Sequence, residues 1–262
     1  MKSDRSFVSS SRSLVGLVRS GNEDSALVHS HLLAVADGMG GHAGGEIASA
    51  LAIKTLSHLI PILDSLGADQ ESIEDLLLNS LHDINQEIAN KVEGDPDLTG
   101  MGTTLSALMF SQDDDDRVAL LHVGDSRCYR LRNNELIQLS HDHTVIQELL
   151  DQGAITTEEA LEHPKRSFLT QALMGESSLA PVLMVYSTET NDRFLLCSDG
   201  LSGVLSEGEL KQALLTLDRE DCVARLVDAA YAHGAPDNVT LIVADFVEGS
   251  EFVETTFLGA AQ

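Results

Sequence analysis

Four aspartates stand where an apolar run of the sequence ends or begins. Asp37 follows LLAVA, Asp125 follows LLHVG and Asp199 follows FLLCS, while Asp237 and Asn238 directly precede VTLIV. A single aspartate at a strand end is usually a turn former or a helix cap. Four of them, each with Gly or Asn beside it, fit that interpretation less well. Strand ends that meet on one rim of a sheet would bring these carboxylates together.

Carboxylates gathered in one cleft repel one another and raise one another's pKa. A hard divalent cation removes that penalty, and oxygen ligands suit Mg²⁺ or Mn²⁺. Neighbouring glycines such as Gly38 and Gly200 would let backbone carbonyls and a substrate come close to the ions. A further acidic pair, Glu23–Asp24, follows the first apolar run. The pattern therefore predicts a magnesium or manganese site.

The stretch ADGMGGHAGGE at 36–46 also allows a different interpretation. Residues 38–43 satisfy the G-x-G-x-x-G/A pattern of dinucleotide-binding loops, after a strand and before a helix. Asp37, however, would place a negative charge beside a pyrophosphate, and no acid stands about 20 residues later for the ribose. We rank this hypothesis below the metal site, and tight NAD binding without metal dependence would revive it.

Composition limits the partners of the chain. Its 262 residues include 42 acidic and 16 basic side chains, a formal net charge of −26. We therefore expect no nucleic acid and no membrane as partners, because phosphate backbones and anionic lipids need a basic face. The three cysteines form no C-x-x-C and begin no C-x₅-R loop, which excludes a cysteine-nucleophile phosphatase on its motif. Their scatter predicts reduced thiols in a cytoplasmic protein.

The hydrophobic pattern predicts one α+β domain, with strands before and after helical segments. We expect a flexible N-terminal lead at 1–13, the domain itself at 14–246 and a C-terminal tail at 247–262. The predicted strands are 14–18, 31–36, 103–110, 117–123, 128–132, 193–198 and 239–246, and the predicted helices are 46–63, 72–92, 209–217 and 222–234.

The stretches that carry the acids resemble the metal-dependent protein serine/threonine phosphatases of type 2C, the PPM family, in their bacterial-type form. In family order they are RSGNED (19–24), ADGMGGHAGGE (36–46), MGTT (101–104), HVGDSRCYRL (122–131), SHDHT (140–144), LTQALMG (169–175), LLCSDGL (195–201) and PDNVT (236–240). The resemblance covers about residues 14–246. It implies a four-layer sandwich, in which two mainly antiparallel central β-sheets are flanked by α-helices on both sides. It also implies a flap at about 145–180 beside the active site.

The resemblance further implies which residues bind metal. Asp37 would bridge two ions, and the Gly38 carbonyl would bind the second of them. Asp199 and Asp237 would complete the shell of the first ion. Asp125, together with Asp199, would bind a third, weaker ion.

Other residues would surround the ions. Glu23 and Asp24 would hold metal-bound waters, and Asn238 would fix Asp237 or its turn. Arg19 would grip the substrate phosphate through a bidentate contact that lysine could not copy.

His42 keeps two interpretations. Many eukaryotic members carry a histidine directly after the Asp-Gly pair, where it can act as general acid. Here Met39 takes that position and the histidine comes three residues later, as in bacterial-type members. His42 would either donate a proton to the leaving alkoxide or only hydrogen-bond near the metal shell.

The implied reaction is the hydrolysis of phosphoserine and phosphothreonine in proteins. A metal-activated water that bridges two Mg²⁺ or Mn²⁺ ions would attack phosphorus, with no phosphoenzyme intermediate. The substrates would be phosphorylated proteins made by a serine/threonine kinase, and the resemblance suggests a monomer. The alternative is a catalytically silent member that binds phosphoproteins. Silent members usually lose one or more of the acids, and all are present here.

Overall fold

The computed structural model describes residues 5–40, 44–64, 72–110, 117–161, 163–176, 180–249 and 254–262. Its strands form two sheets in which every pairing is antiparallel. Sheet one has the order β1 (Arg5–Leu14), β11 (Val239–Glu248), β10 (Arg193–Cys197), β7 (Arg127–Arg132), β8 (Glu135–Gln138). Sheet two has the order β12 (Thr256–Gly259), β2 (Asp24–Val28), β3 (Leu32–Met39), β5 (Leu105–Phe110), β6 (Arg117–Val123), β9 (Val182–Ser187), with β4 (Gly102–Thr103) paired to β3.

Helices cover the outer face of each sheet. Sheet two packs against α1 (Gly44–Leu56), α2 (Ile60–Asp64) and α3 (Ile73–Gly94) in one apolar cluster. Sheet one packs against α6 (Asp199–Ser202), α7 (Glu207–Thr216) and α8 (Arg219–Ala232) in another. The two short helices α4 (Val145–Asp151) and α5 (Thr157–Leu161) lie in the connection between β8 and β9. The predicted four-layer α+β sandwich is therefore confirmed.

A third apolar cluster fills the space between the two sheets. Four phenylalanines stand at its centre, with Phe7 edge-on to Phe194 at 5.8 Å and Phe110 edge-on to Phe246 at 4.8 Å between ring centroids. Edge-to-face pairs add about 0.5–1.5 kcal/mol to the burial of the rings themselves. This layer holds the sheets face to face, so their strand ends keep a fixed separation at the site.

The predicted N-terminal lead is wrong over residues 5–13. These residues form β1, which pairs with β11 along ten positions from Arg5 opposite Glu248 to Leu14 opposite Val239. The serine-rich sequence hides the strand because Phe7 is its one fully buried large apolar side chain. The predicted strand at 14–18 is also wrong, since Leu17 and Val18 are exposed in a turn.

The predicted C-terminal tail is wrong over residues 247–248 and 256–259, while residues 250–253 lie outside the described ranges. Strand β11 continues to Glu248, and residues 256–259 form β12, which pairs with β2. Strands β2, β8 and β9 were not predicted. They are short segments, four to six residues long, and their pairing with neighbouring strands identifies them.

The helical stretch Gly44–Leu63 has a mean hydropathy of 1.3 and is the one described helix long and apolar enough to cross a membrane. Its side chains Ala48, Ala52 and Ile53 are fully buried in the cluster between sheet two and α3. A mostly apolar helix packed in this way is a core helix of the sandwich.

Candidate metal centre

A cleft of about 600 Å³ opens between strand ends of the two sheets. It collects residues that are up to 218 positions apart in the sequence, such as Arg19 and Asp237. Its walls include residues 167–172, so part of the predicted flap does lie beside the site. The charged residues that line it are Arg19, Glu23, Asp37, Asp125, Glu176, Asp199 and Asp237.

Asp24 and Asp37 stand directly opposite each other at the start of β2 and near the end of β3. Like charges in this position are destabilising. Burial is the main cause that raises the pKa of Asp24 to about 7, although a hydrogen bond from the Ser198 hydroxyl at 2.7 Å opposes the shift. Burial, followed by the charge of Asp24, also raises the pKa of Asp37 well above its ordinary value.

Asp199 begins α6, directly after β10 and Ser198. Burial and then the charge of Asp237 raise the pKa of Asp199, while a hydrogen bond with Asp37 acts in the opposite direction. Asp37 and Asp199 therefore lie side by side in the cleft, where a cation would relieve the repulsion between their carboxylates.

Asp125 lies in the turn between β6 and β7. The preceding Gly124 has a φ of +103°, and a Cβ there would lie 2.5 Å from the Thr104 methyl carbon. The backbone N–H of His143 donates to the Gly124 carbonyl at 2.8 Å, and the Gly124 N–H donates to His143 Nδ1 at 3.1 Å. Burial is the main cause that raises the pKa of Asp125 to about 7, followed by the charge of Asp199.

Asp237 and Arg19 form an ion pair in the cleft, with 2.6 Å between Oδ2 and Nη2. Their side chains are 33% and 49% exposed, so the pair faces the solvent side of the site. Such an exposed pair is held weakly and can rearrange. The guanidinium of Arg19 is therefore available to a ligand that enters the cleft.

Asn238 ties the loop that carries Arg19 and Glu23 to the start of β11. Its side-chain Oδ1 accepts from the Glu23 N–H at 2.8 Å. Its Nδ2 donates to the carbonyls of Val15 at 2.9 Å and Gly21 at 2.8 Å. The oxygen and the nitrogen of this buried amide therefore both form hydrogen bonds with the same loop.

The glycines beside the acids are needed mainly for contacts between backbone segments. A Cβ on Gly38 would lie 2.1 Å from the Gly45 carbonyl oxygen and 2.5 Å from that of Glu23. A Cβ on Gly200 would lie 1.8 Å from the Asn238 carbonyl oxygen. No other residue would allow these segments, which carry the site residues, to approach so closely.

His42 lies outside the described residues, which leave out 41–43. Its two interpretations stay predictions. Met39, at the position of the eukaryotic histidine, lines the cleft.

Two supporting residues were missed by the sequence analysis. Thr104 holds Asp37 from both sides, since its Oγ1 accepts from the Asp37 N–H and its own N–H donates to the Asp37 carbonyl, both at 2.9 Å. Ser198 donates to Asp24 and accepts from the Thr240 N–H. Both lie inside quoted motifs, MGTT and LLCSDGL, so their place in those motifs was the available signal.

The donor set suits a divalent cation. Asp37, Asp125 and Asp199 are partly buried in the cleft, and burial together with neighbouring carboxylates raises the pKa of each. Arg19 is the basic side chain among the described lining residues. Carboxylates and a backbone carbonyl are the ligands that Mg²⁺ and Mn²⁺ prefer. Within the described ranges no three acidic, histidine or cysteine side chains are already arranged as a closed ligand set. The ion pair of Arg19 with Asp237 balances part of the charge of the cleft.

The sequence model of protein phosphatase 2C matches residues 21–240, which is most of the chain and includes all the acids of the cleft. This chain belongs to the protein phosphatase 2C family. The family assignment confirms the resemblance and removes the dinucleotide hypothesis.

Two curated relatives and one solved structure show how far the similarity extends. The chain is 46% identical over 237 residues to the serine/threonine protein phosphatase PstP of Mycobacterium tuberculosis, covering 90% of this chain and 44% of that protein. It therefore spans less than half the length of this relative. It is 37% identical over 238 residues to the serine/threonine phosphatase Stp of Listeria monocytogenes, covering 88% and 92%. The catalytic domain of PstP, solved with two manganese ions, superposes with a TM-score of 0.84 at 42% identity, covering 93% and 100%.

Proposed function

We propose that this chain is a metal-dependent protein phosphatase that removes phosphate from phosphoserine and phosphothreonine side chains. The observation that carries the proposal is the gathering of acids from both sheets around one cleft, with an arginine at its exposed side. This arrangement suits a phosphate ester held by divalent cations and a guanidinium. The names of the relatives, which are serine/threonine phosphatases, support the same reaction.

Asp37, Asp199 and Asp237 would be the principal ligands of two Mg²⁺ or Mn²⁺ ions, together with the Gly38 carbonyl. The two manganese ions of the PstP catalytic domain support this number. Asp125 would take part in a third, weaker site with Asp199. When bound, the ions supply an activated water and neutralise the charge that develops on the phosphoryl oxygens.

Glu23 and Asp24 would accept hydrogen bonds from waters around the ions. Asp24 is 1% exposed and is oriented by the Ser198 hydroxyl, so its carboxyl group has little freedom to turn. Burial raises the pKa of Glu23, although the charge of Arg19 opposes the shift.

Arg19 would bind the phosphate of the substrate. Its guanidinium lies on Asp237 at the exposed side of the cleft, where a phosphate group would enter. An incoming phosphate can compete for it through two parallel hydrogen bonds. Arg19 would therefore contribute to substrate binding and orientation, and the proposal assigns no side chain as a nucleophile.

The substrates would be proteins phosphorylated by a serine/threonine kinase. We also propose that the chain acts as a monomer in the cytoplasm. Cys128, Cys197 and Cys222 are all free thiols buried in the fold, which supports a reducing compartment.

Hydrolysis of p-nitrophenyl phosphate and of a phosphothreonine peptide tests the proposal. Each would be measured with Mn²⁺, with Mg²⁺ and with EDTA, for the wild type and for Asp37→Ala. Asp151→Asn is a matched control, because Asp151 is an exposed acid that pairs with His141 outside the cleft. We expect metal-dependent release of phosphate by the wild type and the control, and none by Asp37→Ala. If the wild type releases no phosphate with Mn²⁺ and none with Mg²⁺, the result would favour the alternative, a catalytically silent member that binds phosphoproteins.

A further inference from the structure

Strand β12 lies beyond residues 21–240, the part of the chain that the family model matches. It covers the edge of β2, with Thr256 opposite Val28 and Gly259 opposite Ser25. Strand β2 is buried along its whole length. Without β12 its backbone donors and acceptors on that side would lose their partners.

The pairing continues past β12 as far as Asp24. The Ala260 N–H donates to the Asp24 carbonyl oxygen at 2.8 Å. Gly259 has a φ of +66°, and a Cβ there would lie 2.1 Å from the same carbonyl oxygen. The C-terminal segment therefore touches the backbone of an acid that belongs to the charged cluster of the cleft.

Apolar side chains anchor this segment on both faces of sheet two. Ala261 is 4% exposed and packs with Phe257 into the cluster on the helical side. Leu258 packs into the cluster between the sheets. Alternate side chains of one strand thus enter two different cores, which fixes the register of β12 against β2.

Hydrogen bonds to its main chain and to its side chain hold Asp24 in place, and the C-terminal segment supplies one of them. The Asp24 N–H donates to the Asn22 side-chain oxygen at 3.2 Å, and its carboxyl group accepts from the hydroxyls of Ser198 and Thr240. The Ala260 N–H binds its carbonyl oxygen. A shift of this carbonyl would rotate the peptide and move the carboxyl group relative to Asp37 on the opposing strand.

We propose that β12 is a positioning element of the metal site: the Gly259–Ala260 segment fixes the backbone of Asp24 and hence the carboxyl group that faces Asp37. The inference rests on the proposed function, because it assigns the strand a part in metal binding. Groups that orient the surroundings of a metal typically change its affinity by about 10- to 100-fold when they are removed.

Calorimetric titration of the full chain with Mn²⁺ tests the inference. Gly259→Ala introduces a Cβ that cannot fit against the Asp24 carbonyl, so we expect the Kd for Mn²⁺ to rise about tenfold. Phe257→Ala is the matched control, because it weakens the packing of the same strand but faces Leu27, three residues from Asp24. It should lower the melting temperature in EDTA and leave the Kd within about twofold of wild type.

Two results of the titration would overturn the inference. One is an unchanged Kd in folded Gly259→Ala, and the other is an equal loss of affinity in Phe257→Ala. A wild type that binds no Mn²⁺ would instead contradict the proposed function itself, so the two failures are distinguishable.

Hydrogen exchange on the wild-type chain tests the same coupling without any substitution. If β12 positions the metal site, bound Mn²⁺ must in turn stabilise the docking of β12, because coupling between two sites is reciprocal. The amides of residues 256–262 should exchange more slowly with saturating Mn²⁺, and by a larger factor than those of α7. Equal slowing in α7, or none in 256–262, contradicts the proposal.

Discussion

Strand β11 has an aspartate near each end, and the protein holds the two in opposite ways. Asp237, just before the strand, lies in the cleft among other carboxylates and makes an exposed contact with Arg19. Asp245, in the second half of the strand, contacts Arg193 at 2.6 and 3.0 Å and Arg219 at 2.9 Å. Burial would raise the pKa of Asp245, but the two arginines more than offset it and hold that pKa below its ordinary value.

The same contrast separates the other buried aspartates. Asp192 pairs with Arg132, and Asp142 pairs with Arg127 through several hydrogen bonds. Beside the cleft, by comparison, the described hydrogen-bond partners of the Asp24 carboxyl group are the hydroxyls of Ser198 and Thr240, and the pKa values of Asp24 and Asp125 rise to about 7. An acid that supports the fold is paired within the chain, whereas a group of buried acids without such partners marks a site where a cation from outside balances the charge.

Asp199→Asn tests the cleft side of this contrast and should have the largest effect. The change removes a charge and keeps the shape, so we expect phosphopeptide turnover with Mn²⁺ to fall by at least about 100-fold. In EDTA at alkaline pH the variant should melt at the same temperature as wild type or higher, because it relieves repulsion. Normal turnover would show that Asp199 is not a ligand. A lower melting temperature in EDTA would show that its charge is not destabilising in the metal-free cleft.

Asp245→Asn tests the other half of this contrast, the acids that are paired with arginine inside the fold. We expect the free energy of unfolding at pH 7 to fall by about 1–3 kcal/mol, because two partly buried arginines lose the negative charge and one of the two oxygens that they bind. The folded pKa of Asp245 lies below its unfolded value of about 3.9, so its contribution is complete above that pH and is lost as the pH falls through the folded pKa. Urea unfolding should show that the free energies of unfolding of the wild type and of Asp245→Asn differ at pH 7 and become equal in acid. Turnover should stay normal. A loss of activity in the folded variant would contradict the view that Asp245 supports only the fold.

Arg19→Ala asks what the exposed ion pair of the cleft is for. We expect the KM for phosphosubstrates to rise about tenfold with a smaller change in kcat, because a charge-assisted contact to phosphate is lost. Arg19→Lys should recover only part of the lost affinity for the substrate, because lysine cannot make a bidentate contact with phosphate. In EDTA, Arg19→Ala should be less stable than wild type, opposite to Asp199→Asn. An unchanged KM would remove Arg19 from the phosphate contact.

Asn85→Ala addresses the neutral contacts that shape the cleft and should have the smallest effect. Asn85 on α3 donates to the Glu176 carbonyl at 2.7 Å and accepts from the Gly175 N–H at 2.9 Å, which anchors the end of the flap. We expect the KM for a phosphopeptide to rise about two- to fivefold, with little change for p-nitrophenyl phosphate. Gln86→Ala is the control, because Gln86 bonds only to Asn90 on its own helix among the described residues. Equal KM values for Asn85→Ala and Gln86→Ala would exclude a role for Asn85 in anchoring the end of the flap.

Strands with a continuous apolar pattern were predicted well. Strand β6 matches the predicted 117–123, and β10 and β11 start at the predicted residues. Strands β1 and β12 were missed because few of their side chains are both large and buried, and their stability comes from pairing with β11 and β2. Backbone pairing between residues more than 200 positions apart leaves little trace in local composition.

The residues of the site also include some that the sequence predicts and others that only the structure identifies. Asp37, Asp125, Asp199 and Asp237 each stand where an apolar run ends or begins, so their type and spacing are evident in the amino-acid sequence. The residues that orient them, such as Ser198 and Thr104, are ordinary polar side chains at unremarkable positions. Only their contacts distinguish them.

The sequence by itself determined the chemistry of this protein: which acids lie at strand ends, which arginine accompanies them, and the family to which the motifs belong. The tertiary structure decided which aspartates are left without a basic partner. Asp24 faces Asp37 through strand pairing, and Asp245 meets Arg193 and Arg219 across neighbouring elements. The reason is that the environment of a charge depends on distances in space, and those are set by sheet register and packing between residues far apart in the chain.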